Sequence, residues 1–286
     1  MTSTTPATGA RAGLPIGKIL GYTTLVVFAI IYLYPFFIQL ATSIKSNQDA
    51  VANPLALLPH PFTTSAFHRL AKTDFPLWFF NSAVVAILVT AGRVFFDSLA
   101  GYALARLNFR GRSALFTGLL AVMAVPGVVL LIPKFLVLKQ IGMYDTQPAL
   151  WLPLIADAAG VFIMKQFFAS VNPSIEEAAR IDGAGPFRIF WSVVLPMARP
   201  ALITLTILSF QGSWNELPHF IVASQDPKLY TLTKGVASLT SGQLGSGKQF
   251  PITMAAALIM TIPVAIVFLV FQKRFVSGAN EGGVKG

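Results

Sequence analysis

Six long stretches of the chain are almost wholly apolar: Ile19 to Leu40, Leu77 to Ala105, Ala114 to Val137, Pro148 to Phe168, Ala201 to Val222 and Ile252 to Phe271. A bilayer core takes about 20 such residues as a helix. Inside hydrocarbon every backbone N–H and C=O needs a partner within the protein, so only helices and closed barrels cross it. The stretches lack the apolar–polar alternation of barrel strands. The sequence therefore predicts an all-α integral membrane protein with six transmembrane helices.

Composition agrees. Of 286 residues, 55% are hydrophobic and only 11% are charged. A soluble chain carries about 25% charged residues because its surface must face water. The net charge of +10 would in a soluble protein suggest nucleic acid. No run of five or more Lys and Arg exists, so no nucleic-acid partner is expected, and the excess reads as loop charge on a protein embedded in a lipid bilayer. With no cysteine, disulfides, thiolate metal sites and cysteine nucleophiles are excluded. His60, His68 and His219 lack metal-ligand spacing. No catalytic triad, metal site or cofactor-binding site can be read from this chain.

Residues 1–17, rich in Thr, Ala and Gly, read as a flexible tail. Residues 18–275 form the membrane domain, and 276–286 form a second tail. The first apolar stretch is longer than the core of a signal peptide and no small-residue cleavage site follows, so an uncleaved span is expected. Arg106, Arg110 and Arg112 fall in one short loop, Arg180, Arg188 and Arg199 in another, and Arg11, Lys18, Lys273 and Arg274 flank the ends. Six crossings put all of these on one side. The positive-inside rule makes that side cytoplasmic, with both termini. Lys45, Arg69, Lys72, Lys134, Lys139, Lys228, Lys234 and Lys248 are spread more thinly on the other side. Pro35, Pro126, Pro133 and Pro263 can each kink a span.

The loop at 171–200 is the most informative. Ser174 followed by Glu177 has the spacing of a capping box. The Glu-Ala-Ala-Arg stretch favours helix. Gly183, Gly185 and Pro186 stop it and turn the chain. Phe187, Phe190, Trp191 and Val194 then recur at helical spacing before Leu195-Pro196. The result is a helix, a turn and a second helix at the cytoplasmic surface, suited to a partner protein or to lipid headgroups.

Glu177-Ala-Ala-Arg-Ile-Asp182-Gly183-Ala, with Leu195-Pro196 beyond it, resembles the EAA motif of binding-protein-dependent ABC importers. Asn81-Ser82, the run from Ala100 to Arg106, Ser213-Trp214-Asn215-Glu216 and the final Gly-Gly-Val-Lys-Gly resemble the maltose-type carbohydrate permeases, in particular the second, smaller permease. Leu217-Pro218-His219 departs from that pattern. The resemblance implies the type I ABC importer permease fold, in the plasma (inner) membrane of a prokaryote. It implies a coupling loop made by Glu176, Glu177, Ala178, Ala179, Arg180, Asp182, Gly183, Ala184, Gly185, Leu195 and Pro196. It implies a second permease as heterodimer partner, two ATPase subunits that hold the ATP and Mg, and an extracytoplasmic solute-binding protein. The loop from Ala223 to Pro251, with its tip at Ser241 to Gly247, would reach into that binding protein.

Gly242 to Lys248 spells G-x-x-x-x-G-K. Gln249 stands where a phosphate loop needs Ser or Thr, so ATP binding here is excluded. Arg93 and Asp97 are four apart on one face of span two, an intramembrane charge pair that can either pair with itself or form a polar cavity wall or a contact with a partner permease. Asp157 is a candidate for the solute path, and Lys165 for snorkelling. Gln211, Trp214 and Asn215 suit a sugar, with an aromatic face for its C–H face and amides for its hydroxyls, although a tryptophan near a membrane interface is more often an anchor. The competing class is an ion-coupled secondary transporter with Arg93, Asp97 or Asp157 as relay groups.

Overall fold

The computed structural model describes residues 16–240 and 249–283, with side chains described for 17–240 and 249–272. The tip at 241–247, the G-x-x-x-x-G-K run and most of the 1–17 tail lie outside the described residues. Among the described residues, four apolar helices are long enough to cross a bilayer: span one in Ile16–Ser43, span two in Phe75–Arg106, span four over Gln147–Ser170 and span six in Phe250–Gly283. The other two spans are bent. Span three is Arg112–Met123 followed by Gly127–Gln140 at 99°, and Pro186–Met197 meets Arg199–Trp214 at 79°.

The bends have local causes. Pro126 takes an extended conformation, with φ −59° and ψ 127°, and the first half of span three ends before it. Pro133 sits in the first turn of Leu131–Gln140, where its missing N–H costs nothing. Pro35 and Pro263 lie inside unbroken helices, so of the four prolines only Pro126 marks a break. Span five is shorter than the expected Ala201 to Val222. Its helix stops at Trp214, and a separate short helix, Pro218–Ala223, follows. Pro218 disfavours the helical conformation at Leu217, which has φ −127°. Span six is longer than expected, its backbone helix continuing through most of the 276–286 tail to Gly283.

Span two is the axis of the bundle and packs on spans four and five. Close approach needs small residues where lipid supplies no hydrophobic drive between helices. An ideal Cβ at Gly101 would lie 2.7 Å from the Met164 Cβ, so nothing larger than glycine brings spans two and four together there. Span one packs mainly on span six, and only 6% of its most apolar window is buried, against 28% for span two.

Loops sort to two ends, as six crossings require. At one end Asn81, near the start of span two, donates to Lys228 O and Tyr230 O at 2.9 Å each, and Ser82 Oγ accepts from Leu232 N at 2.7 Å. These bonds fasten the loop between spans five and six. There Asp145 Oδ1 accepts from Ser224 Oγ at 2.6 Å and from Gln225 N and Asp226 N at 2.9 Å each, clamping two loops together. The buried Lys234 ammonium donates to Phe220 O and Ser224 O, and burial pushes its pKa down. At the other end Arg106 meets the 171–200 loop.

Candidate functional site

The 171–200 loop is a helical hairpin. Its first helix is Pro173–Ile181. The cap is Asn172, whose side chain accepts from Ser174 N at 3.1 Å, and not Ser174 as the Ser-x-x-Glu spacing suggested. Pro173 explains the shift, because proline at the first helical position is already set for helix. The helix stops after Ile181, and Gly183 turns the chain with φ +81°, a left-handed conformation that side chains resist. Pro186 starts the return stretch, which contains a π-helical turn, Ile189–Val194.

The hairpin has a fixed base and an open tip. Ile189, Phe190 and Val194 are buried with Tyr102 and Phe168. Tyr102 stacks edge-on against Phe168 at 5.7 Å and contacts Phe190 at 5.0 Å. Glu176 is 3% exposed. Its Oε1 pairs with Arg106 Nε at 2.9 Å, and its Oε2 accepts from the Tyr102 hydroxyl at 3.2 Å. Arg180 lies 3.6 Å from the same carboxylate but is largely exposed. Removing one partner of a buried ion pair costs about 3–5 kcal/mol, because the other is left charged and alone. Glu177, by contrast, is exposed. So are Ala178, Asp182, Gly183, Gly185 and Pro196, while Ala179, Ala184 and Leu195 are half-buried. Ile181 is 86% and Phe187 78% exposed at the tip, an apolar surface that none of the described residues covers. The motif marked the loop, but Glu176 as its anchor needed the three-dimensional position of Arg106.

Arg93 and Asp97 do not pair with each other. Span four breaks at residues 155–157, leaving backbone groups free at membrane depth. Arg93 Nε donates to Leu154 O at 2.8 Å, and Asp97 Oδ1 accepts from Asp157 N at 3.0 Å. Non-helical backbone is tolerated in a membrane only where such partners exist. The two charges therefore close the break from span two. The only ion pairs among the described residues are the two at Glu176. Asp157 caps the helix Ala158–Ser170 by accepting from Gly160 N at 3.4 Å. Lys165 lies over the Phe116 ring, 4.2 Å from its centroid.

Trp214 is not available to a sugar. It is 2% exposed, its Nε1 donates to Met260 O at 3.0 Å, and its ring stacks on Phe210 with Phe79 at its edge. The residue is a core wedge between spans five and six. Gln211 and Asn215 are exposed one turn apart. Asn215 lines a groove of about 310 Å³ with Phe36, Met260 and Thr261, and Gln211 lines an adjoining one of about 240 Å³ that shares Thr261. A few amides and a hydroxyl on apolar walls are the pattern of a small-molecule path.

Residues 97–280 match the family of the binding-protein-dependent transport system inner membrane component. The chain belongs to this family. This inner-membrane component is also similar over nearly its full length to characterised transport proteins. It is 31% identical over 264 residues to the arabinooligosaccharides transport system permease protein AraQ of Bacillus subtilis, covering 91% of this chain and 93% of that one. It is 34% identical over 274 residues to the sulfoquinovosyl glycerol transport system permease protein SmoH of Agrobacterium fabrum, covering 94% and 95%. In structure it resembles a chain from a bacterial ABC transporter involved in the import of the acidic polysaccharide alginate, with TM-score 0.78, 28% identity and coverage of 95% and 100%. The fold is the type I ABC permease fold, and the protein is a multi-pass membrane permease, a non-enzymatic subunit of an ABC importer. An ion-coupled secondary transporter is not favoured.

Proposed function

We propose that this permease is one of two membrane subunits forming the path of an ATP-driven carbohydrate importer. The hairpin of residues 171–200 docks on a cytoplasmic ATPase subunit, which places both termini and the arginine-rich loops in the cytoplasm. ATP and Mg are held by two ATPase subunits, and none is bound by this chain. An extracytoplasmic binding protein delivers solute at the opposite end, where the clamped loop between spans five and six faces it. Gln211 and Asn215 are the path residues best placed to bond hydroxyls. Transport systems for arabinooligosaccharide and sulfoquinovosyl glycerol among its relatives support a sugar or sugar derivative as solute.

One observation carries the coupling reading. A tip with Ile181 and Phe187 in water, on a base as fixed as that around Glu176, is a preformed surface for a protein partner. The test is co-purification of the ATPase subunits with the permease pair. Ile181→Asp with Phe187→Asp is expected to abolish it. Retention of the ATPase at wild-type yield overturns the assignment.

A further inference from the structure

We infer that Arg106, Glu176 and Tyr102 form a mechanical tether that passes movement of the hairpin to spans two and four. The inference rests on the coupling reading above and adds the route by which a pull at the tip reaches the solute path.

The geometry is that of a three-way junction. Arg106 closes span two, and its guanidinium holds two elements, one by a hydrogen bond and one by charge. Nη2 donates to Val171 O, the carbonyl at the end of span four. Nε pairs with Glu176 in the hairpin helix at 2.9 Å. Tyr102, one turn back along span two, donates to the other oxygen of the same carboxylate. Both carboxylate oxygens are therefore fixed to span two, by a charge and by a hydroxyl. The planar fork of arginine holds two partners at once with fixed geometry. The Tyr102 ring also touches Phe168 of span four and Phe190 of the return stretch. Every element that leaves the hairpin base is thus joined to span two.

Burial makes this junction stiff. Glu176 is 3% exposed, so water does not replace a bond that is stretched. A loose base would let the hairpin swing with its ATPase while the spans stayed still. A tied base moves span two, and span two closes the break in span four through Arg93 and Asp97. Movement of the tip is then carried to the break in span four through one continuous set of bonded elements.

These are positioning residues, and their test separates coupling from folding. The chain has no cysteine, so a single Ala257→Cys in the groove beside Asn215 reports access without background from this subunit. The complete complex in proteoliposomes is labelled with a maleimide before and after trapping with ATP and vanadate, and this chain's mass shift is followed. With the tether intact, trapping should change the labelling rate about 10-fold, within the range of ordinary coupling free energies. In Glu176→Gln, which keeps the shape and loses the charge, the two rates should coincide while vanadate-sensitive ATP hydrolysis persists. Arg106→Glu with Glu176→Arg should restore part of the response. A wild-type response in Glu176→Gln overturns the tether. If Glu176→Gln fails to assemble, Tyr102→Phe decides: it keeps the ring and removes one bond, so a reduced response is expected and an unchanged one overturns the proposal. The Ile181→Asp and Phe187→Asp pair is run alongside. If that pair keeps its ATPase subunits, the coupling reading fails; if it loses them and Glu176→Gln responds normally, only the tether fails.

Discussion

Gly160 has no room for a methyl group. An ideal Cβ there would lie 2.0 Å from Asp97 Oδ2 and 2.9 Å from Leu205 Cδ1, both at buried residues. Gly160→Ala should therefore cost about 1–3 kcal/mol, the usual range for overpacking a filled core. A thermal melt of the detergent-solubilised permease reads this, and an unchanged midpoint contradicts the close packing of Asp97. Trp214→Phe removes the donor to Met260 O while leaving an aromatic ring, so stability should fall by about 0.5–1.5 kcal/mol, the net contribution of one hydrogen bond. Uptake per assembled complex should hold, whereas a sugar-stacking role would lose uptake without loss of stability. Asp145 gives a pH dependence. Hydrogen bonds from Ser224 and Asp226 hold its carboxyl below the ordinary 3.8. A depressed acid stabilises above its unfolded pKa and loses that contribution as pH falls through its folded one. The clamp on the loop between spans five and six should hold at neutral pH and loosen below 3.8. Amide exchange over residues 224–230, relative to the free-peptide rate, follows it, and Asp145→Asn should loosen the loop at neutral pH as well. Residue roles were the least legible part of the sequence. Spacing of four suggested that Arg93 pairs with Asp97, but free backbone in span four competed for both. That break is 60 residues away in the chain, and no local pattern announces it.

Elements differ in how openly the sequence states them. The hairpin was readable because its signals are local: helix formers, then glycines, then Pro186. Only its cap moved, from Ser174 to Asn172, since Pro173 between them starts the helix. Gly183 tests the turn. Alanine there meets no atom within 4 Å, so its whole effect comes from φ +81°. A left-handed alanine costs about 1–2 kcal/mol. Exchange in the peptide covering residues 173–190 should rise accordingly, with spans two and four unchanged; equal protection in both proteins would show that the turn carries no such strain. Spans three and five were less legible. Hydropathy records that a segment is apolar, not the direction in which it runs. Pro126 and Pro218 stop helices, while Pro35 and Pro263 in equally apolar surroundings do not. Proline removes one bond in each case, and packing on neighbouring elements settles whether the helix continues.

At the scale of the whole molecule, the low charge of the chain predicted a largely lipid-facing exterior, but span one asks for more than lipid. Leu25, Val26, Val27 and Phe28, which at about 100° per residue point to four sides of the same helix, are 66%, 56%, 49% and 54% exposed. A helix bare on all sides, fastened mainly to span six, has almost no contact to fix its tilt or rotation. A second permease covering one side would supply it. The absence of cysteine makes this measurable position by position. Single Leu25→Cys, Val26→Cys, Val27→Cys and Phe28→Cys variants are labelled with a lipid-soluble maleimide, alone and with the companion permease co-expressed. Alone, all four should react at similar rates, because every side of the helix faces lipid. In the pair, the positions on one side should be protected and the others should keep reacting, since a single packing interface shields only one face of a helix. Equal labelling of all four in the assembled pair would mean that span one stays in lipid, and that the second permease is held by other parts of the bundle.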